Sequence, residues 1–186
     1  YSQRTAKTKL RPKKKLFAVA NPLLTGQTLQ KKDSENGLSA LATSCRQAGP
    51  ASADLIRSLA PLPDTEREIN NVKNSLGKTE KSEVEIFTRK DASEKNLRNV
   101  DLYDYKVLYF ATHGLLPGEL KCQAEPGLVL TPPKKADSRN DDGLLEASEI
   151  ATLRLNADLV VLSACNTAGS GGKFGGDALS GLAEAF

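Results

Sequence analysis

The sequence predicts an α/β protein built on a mainly parallel sheet, and three observations carry that reading. From Leu159 to Leu162 runs a continuous apolar stretch rich in Val and closed by small residues, the pattern of a strand buried on both faces of a parallel sheet. Leu179, Leu182, Ala183 and Phe186 then recur at helical spacing. A second strand, Lys106 to Phe110, runs into Ala111-Thr112-His113-Gly114, and the segments upstream of it alternate strand, helix, strand, helix.

Leu16 to Ala20 is the first strand, ended by the turn signal Asn21-Pro22. From Leu23 to Pro63 a polar stretch is punctuated by Gly26, Gly37, Gly49, Pro50, Pro61 and Pro63; a short helix is expected over Ala53 to Leu59, and disorder from Gln27 to Gly49. Thr65, with Glu68 three residues on, has the form of a capping box. Ile69, Val72 and Leu76 make an apolar stripe, and Gly77 fits the position just past a helix end. Val84, Ile86 and Thr88 alternate with charged residues, as in a strand with one solvated face. Ser93 to Val100 is a short helix leading into the His113 strand. Beyond it, Gly127 to Thr131 and Gly143 to Leu145 are separated by Pro132-Pro133 and the charged run Lys134 to Asp142. They form a small excursion, read as an antiparallel ribbon over the sheet edge. Glu146 to Leu153 is expected to be a helix that returns the chain to Asp158.

The 186 residues suffice for one domain with a real core. The net charge of +3 is local, because Arg4, Lys7, Lys9, Arg11, Lys13, Lys14 and Lys15 form a basic block. Residues 1–15 therefore read as a solvated arm or linker, with residues 16–186 as the folded domain; direct nucleic-acid binding is not the expectation. No apolar run approaches the roughly 18 residues of a membrane span, and no signal-peptide core is present. Three cysteines without paired spacing argue against a disulfide framework and for a reducing, cytoplasmic setting. The chain has no methionine and stops at Phe186 within an amphipathic pattern, so it is expected to be part of a longer protein.

In open α/β sheets ligands sit outside the carboxyl ends of the strands. His113, the single histidine, and Cys165 both fall there. A thiol is a useful nucleophile only as thiolate, and a nearby imidazole can take its proton. Gly114 leaves room for an incoming carbonyl, and its N–H with that of Cys165 could stabilise an oxyanion. Taken singly, Cys165 is equally a small buried hydrophobe and His113 a satisfied core residue. A redox-sensing Cys165 would need a resolving partner, for which Cys122 is the candidate. Cys45 and Cys122 are otherwise incidental, and Tyr103, Tyr105 and Tyr109 are packing residues.

Phe110-Ala111-Thr112-His113-Gly114, then Gly127-Leu128-Val129-Leu130, Asp142-Gly143-Leu144-Leu145 and Leu162-Ser163-Ala164-Cys165-Asn166-Thr167-Ala168 together resemble the CHAT domain. The likeness extends to Leu62-Pro63-Asp64-Thr65-Glu66 upstream and Gly176-Asp177-Ala178-Leu179-Ser180-Gly181-Leu182 downstream. Cys165 follows His113 by roughly 50 residues, as in caspases. The resemblance implies a caspase-like three-layer α/β/α sandwich whose C-terminal part lies beyond Phe186. It also implies a cysteine endopeptidase with His113 as general base and acid and Cys165 as nucleophile, and an oxyanion hole from the N–H groups of Gly114 and Cys165. The substrate would be a protein, an upstream tetratricopeptide-like or other regulatory domain would control the enzyme, and no cofactor is required. One histidine and scattered cysteines do not make a zinc site. Relatives that cut after Arg or Lys often carry an aspartate where this chain has Ser163, so the first subsite is open; Ser163 and Asp177 are its candidates, with Asp142 a lesser one. The competing expectation is a catalytically silent caspase-like module that uses the cleft for binding.

Overall fold

The computed structural model describes residues 12–26, 52–77, 80, 83–120, 123–135, 138, 141–164 and 181–186. The expected disorder over Gln27 to Gly49, and Cys45, Cys122, Cys165 and Asp177, lie outside the described residues. So do most of the basic arm and the start of the last helix.

A four-stranded parallel sheet in the order β2-β1-β3-β7 forms the centre. Its strands are β1 (Lys14–Pro22), β2 (Val84–Arg89), β3 (Tyr105–Ala111) and β7 (Leu159–Leu162). Alternation along β1 and β3 builds two cores, because successive side chains leave a strand on opposite faces. Leu16, Ala18 and Ala20, with Val107, Tyr109 and Ala111, meet Ile69 and Val72 of helix α2 (Pro63–Ser75) and Leu76 just past its end. The alanines in this set let the helix approach the sheet closely. Phe17 and Val19, with Leu108 and Phe110, face the other way and join the larger core. There they meet Leu97 of α3 (Glu94–Arg98), Ile150 of α4 (Ala147–Ile150), and Leu182 from a helical segment over residues 181–185. Helices thus cover both faces, as the sequence predicts.

Several expectations need correction. Thr65 does not cap α2: the helix begins at Pro63, whose missing N–H costs nothing at the first position. Thr65 sits inside the first turn, where its hydroxyl donates to Leu62 C=O (2.7 Å) and accepts from Asn21 N–H (2.9 Å). Glu68 turns instead to the Tyr109 hydroxyl (2.6 Å). Strand β7 is not buried on both faces; it lies at the end of the described sheet, and Leu159 is 54% exposed.

The helix expected from Glu146 to Leu153 is confined to Ala147–Ile150, where Glu146 and Glu149 form a reciprocal capping box. The excursion after β3 has three antiparallel strands: β4 (Gly114–Leu115), β5 (Gly127–Val129) and β6 (Leu144–Glu146). It does not merely lie over the sheet edge. Leu128, Leu130 and Leu145 enter the larger core. Val129, Leu144 and Leu115 pack on Leu24 and on Ile56 of α1 (Ala53–Arg57).

Candidate active site

The carboxyl ends of β1 and β3 are tied into one hydrogen-bonded platform. Asn21, at the end of β1, adopts a left-handed φ of 42° that an asparagine tolerates; the β1–β2 register shifts between Ala20 and Pro22. Its backbone N–H donates to Thr65 and its side-chain amide to Glu66 (2.9 Å). The chain then passes through Thr25 and Gly26, whose N–H groups donate to the carbonyls of Arg57 (2.7 Å) and Leu59 (3.0 Å). Gly26 is required there, because φ is +68° and a Cβ would stand 3.0 Å from Pro61. These bonds fix the segment leading from α1 to α2, and with it the carbonyl of Ala60.

His113 lies just past β3 and is buried, with 5% of its surface exposed. Its Nε2 is 2.8 Å from Ala60 C=O. A carbonyl only accepts, so Nε2 carries the proton and, in the neutral ring, Nδ1 is the basic nitrogen. The backbone on each side of the ring is held as well. The Thr112 hydroxyl donates to Val129 C=O (2.5 Å), and Val129 N–H donates to His113 C=O (2.9 Å). That second bond makes Gly114 and Leu128 a non-hydrogen-bonded pair of the β4–β5 ladder, so the Gly114 N–H points away from β5.

Strand β7 runs parallel to β3 with Phe110 opposite Leu162, and Ser163 N–H donates to Phe110 C=O (2.8 Å). Residues 113 and 165 each follow that matched pair by three positions in the sequence. Ser163 lies near Tyr109 on the α2 face, where the Tyr109 hydroxyl donates to Glu68. Burial, then the Glu68 hydrogen bond and charge, push the Tyr109 phenol above its ordinary range. Asp142 is buried in the turn before β6, where its carboxylate accepts from Leu144 N–H (2.9 Å). That bond closes the turn leading into β6. Tyr105 is buried between Lys14 and Glu85 at the opposite, amino end of the sheet, and Tyr103 lies under Arg154; both pack, as expected.

The Ala60 carbonyl is invisible to sequence reasoning, since any residue supplies one. Only Pro61 and the Leu62-Pro63 start of α2 mark the segment as a rigid corner. Among the described residues no group of three His, Cys, Asp or Glu side chains could hold a metal ion, and no helix is long and apolar enough to cross a membrane.

A mainly parallel α/β sheet that carries the chain's single imidazole just past the end of a central strand fits the class of caspase-like folds. The family model described as CHAT domain matches residues 2–186, and the chain belongs to that family. No curated protein and no solved structure matches it.

Proposed function

We propose that this chain is the peptidase domain of a cysteine endopeptidase, with His113 and Cys165 as its catalytic dyad. The observation that carries the proposal is the matched offset: Phe110 and Leu162 are register partners, and His113 and Cys165 follow them by the same number of residues. The Ala60 carbonyl supports it, because it holds Nε2–H and assigns basicity to Nδ1. In the reaction Nδ1 takes the Cys165 proton, and the thiolate attacks the peptide carbonyl carbon to form a C–S bond. The resulting oxyanion is met by the N–H groups of Gly114 and Cys165. The C–N bond then breaks as the imidazolium protonates the leaving amine. Water, deprotonated by the same imidazole, hydrolyses the thioester and restores the thiol.

The substrate is a protein, and Ser163 and Asp177 are proposed to line the first subsite. Control falls to an upstream tetratricopeptide-like or other regulatory domain, in a cytoplasmic setting. The test is alkylation by a panel of peptidyl electrophiles of the wild type, Cys165→Ala and His113→Ala. Labelling should fall on Cys165, depend on His113 and vary with the peptide's terminal residue. If Cys45 and Cys122 label as readily and His113→Ala changes nothing, the dyad is absent and the cleft is a binding surface.

A further inference from the structure

Glu94 is fully buried at the first position of α3, outside the dyad. Its Oε2 accepts two successive backbone N–H groups, from Asp142 (2.8 Å) and Gly143 (2.6 Å). Its Oε1 lies 3.8 Å from an Arg98 guanidinium nitrogen and accepts no hydrogen bond among the described residues. The turn it grips is tightly specified: Gly143 has φ +96°, and a Cβ there would stand 2.7 Å from Pro132 Cα. A carboxyl group buried like this is a costly anchor wherever an apolar side chain would pack, and its value lies in where it holds the backbone.

From that turn a continuous string of bonds reaches the imidazole. Gly143 C=O accepts from Leu130 N–H (2.8 Å). The adjoining residue, Val129, grips both sides of the next segment, donating to His113 C=O and accepting from the Thr112 hydroxyl. Thr131 N–H donates to Ala92 C=O (2.7 Å), which ties the same strand to the segment just before Glu94.

We propose that Glu94 is a positioning residue for His113: by clamping the N–H groups of Asp142 and Gly143 it fixes the β5–β6 ribbon, which holds the 112–113 backbone where the imidazole meets Ala60. Its catalytic meaning rests on the dyad reading, but the structural link does not. Glutamine at 94 keeps an oxygen able to accept both N–H groups. Alanine leaves two buried donors without an acceptor, and aspartate keeps the carboxyl group but falls one methylene short.

The test uses the full chain, in which the single histidine gives one set of imidazole nitrogen resonances. Two readouts are taken: the His113 tautomer by nitrogen-15 NMR, and the rate of Cys165 alkylation by a peptidyl electrophile across pH. Glu94→Gln should keep the Nε2–H tautomer and an alkylation rate within about threefold of wild type. Glu94→Ala should lose the single tautomer and slow alkylation by roughly tenfold to a hundredfold, the cost of a misplaced reacting group. Exchange protection of Val19 and Leu108 in the central strands should persist. If Glu94→Ala does not fold, Glu94→Asp decides, with an expected loss between the other two.

Wild-type imidazole signals in Glu94→Ala or Glu94→Asp, or an equal loss in Glu94→Gln and Glu94→Ala, would overturn the proposal. A His113→Ala variant that alkylates like wild type would instead remove the dyad reading, and the imidazole spectrum would still report whether Glu94 holds His113.

Discussion

The imidazole Nε2 of His113 lies 2.8 Å from the backbone carbonyl of Ala60, a residue more than fifty positions away that no side-chain pattern singles out. The bond crosses from the end of β3 to the corner before α2 and decides the ring's tautomer. A backbone carbonyl has no proton to give and does not titrate, so it orients the ring at every pH at which the fold persists. Nitrogen-15 spectra of the neutral ring should show Nε2 protonated and Nδ1 as the acceptor. The opposite tautomer would remove the orienting role assigned to Ala60.

Glu94 gives the fold a pH dependence with a definite sign. Burial, opposed by the hydrogen bond from Gly143 and reinforced by the Glu149 and Asp142 charges, raises its carboxyl to about 8; Arg98 is the cation facing it. Between the ordinary carboxyl value of 4.5 and about 8, the folded chain binds a proton that the unfolded chain has released. Stability should therefore fall as pH rises through that window, by at most about 1.4 kcal/mol per pH unit from this group, and level off above it. Glu149, also raised by burial, moves in the same direction. Urea unfolding from pH 5 to 9 should show the decline in the wild type and a shallower one in Glu94→Gln. Equal slopes would mean that Glu94 titrates normally.

Gly143 and Gly77 should separate backbone strain from steric collision. Both have positive φ, but a Cβ at Gly143 meets the Pro132 backbone at 2.7 Å, whereas at Gly77 nothing lies within 4 Å. Gly77→Ala should cost about 1 kcal/mol, and Gly143→Ala roughly 2–5 kcal/mol because overpacking adds to strain. Thermal unfolding of the pair checks the ranking, and equal losses would contradict the collision.

The Tyr109–Glu68 bond ties α2 to β3 beside Ser163. Tyr109→Phe removes a donor to a carboxylate, for an expected loss of about 1–2 kcal/mol. Glu68→Gln should cost less, and the double variant should cost less than the sum of the two. Strict additivity in a double-mutant cycle would show that the two groups do not interact in solution.

Much of this was legible because it is periodic. The two faces of β1 and β3 follow from alternation of apolar residues, Gly77 ends α2 where its freedom is needed, and Ser93 accepts from Asn96 N–H at the start of α3. The misreadings share one cause. Thr65 and Glu68 have the spacing of a capping box, but Pro63 moves the helix start upstream and leaves both side chains to partners on other elements, Asn21 and Tyr109. In the same way Asp142, at the end of a charged run, reads as loop and is a buried anchor point.

By itself the sequence determined the parallel α/β class, the faces of the strands, and the strand end that carries His113, because these depend on short-range periodicity and on residue chemistry. Only the tertiary structure decided that the Ala60 carbonyl fixes the imidazole, that Glu94 grips the turn at Asp142 and Gly143, and that the β4–β6 ribbon braces the backbone around His113. Those contacts join backbone groups and buried carboxyls distant in the chain, and backbone atoms are identical in every residue, so no local pattern can announce which of them will meet.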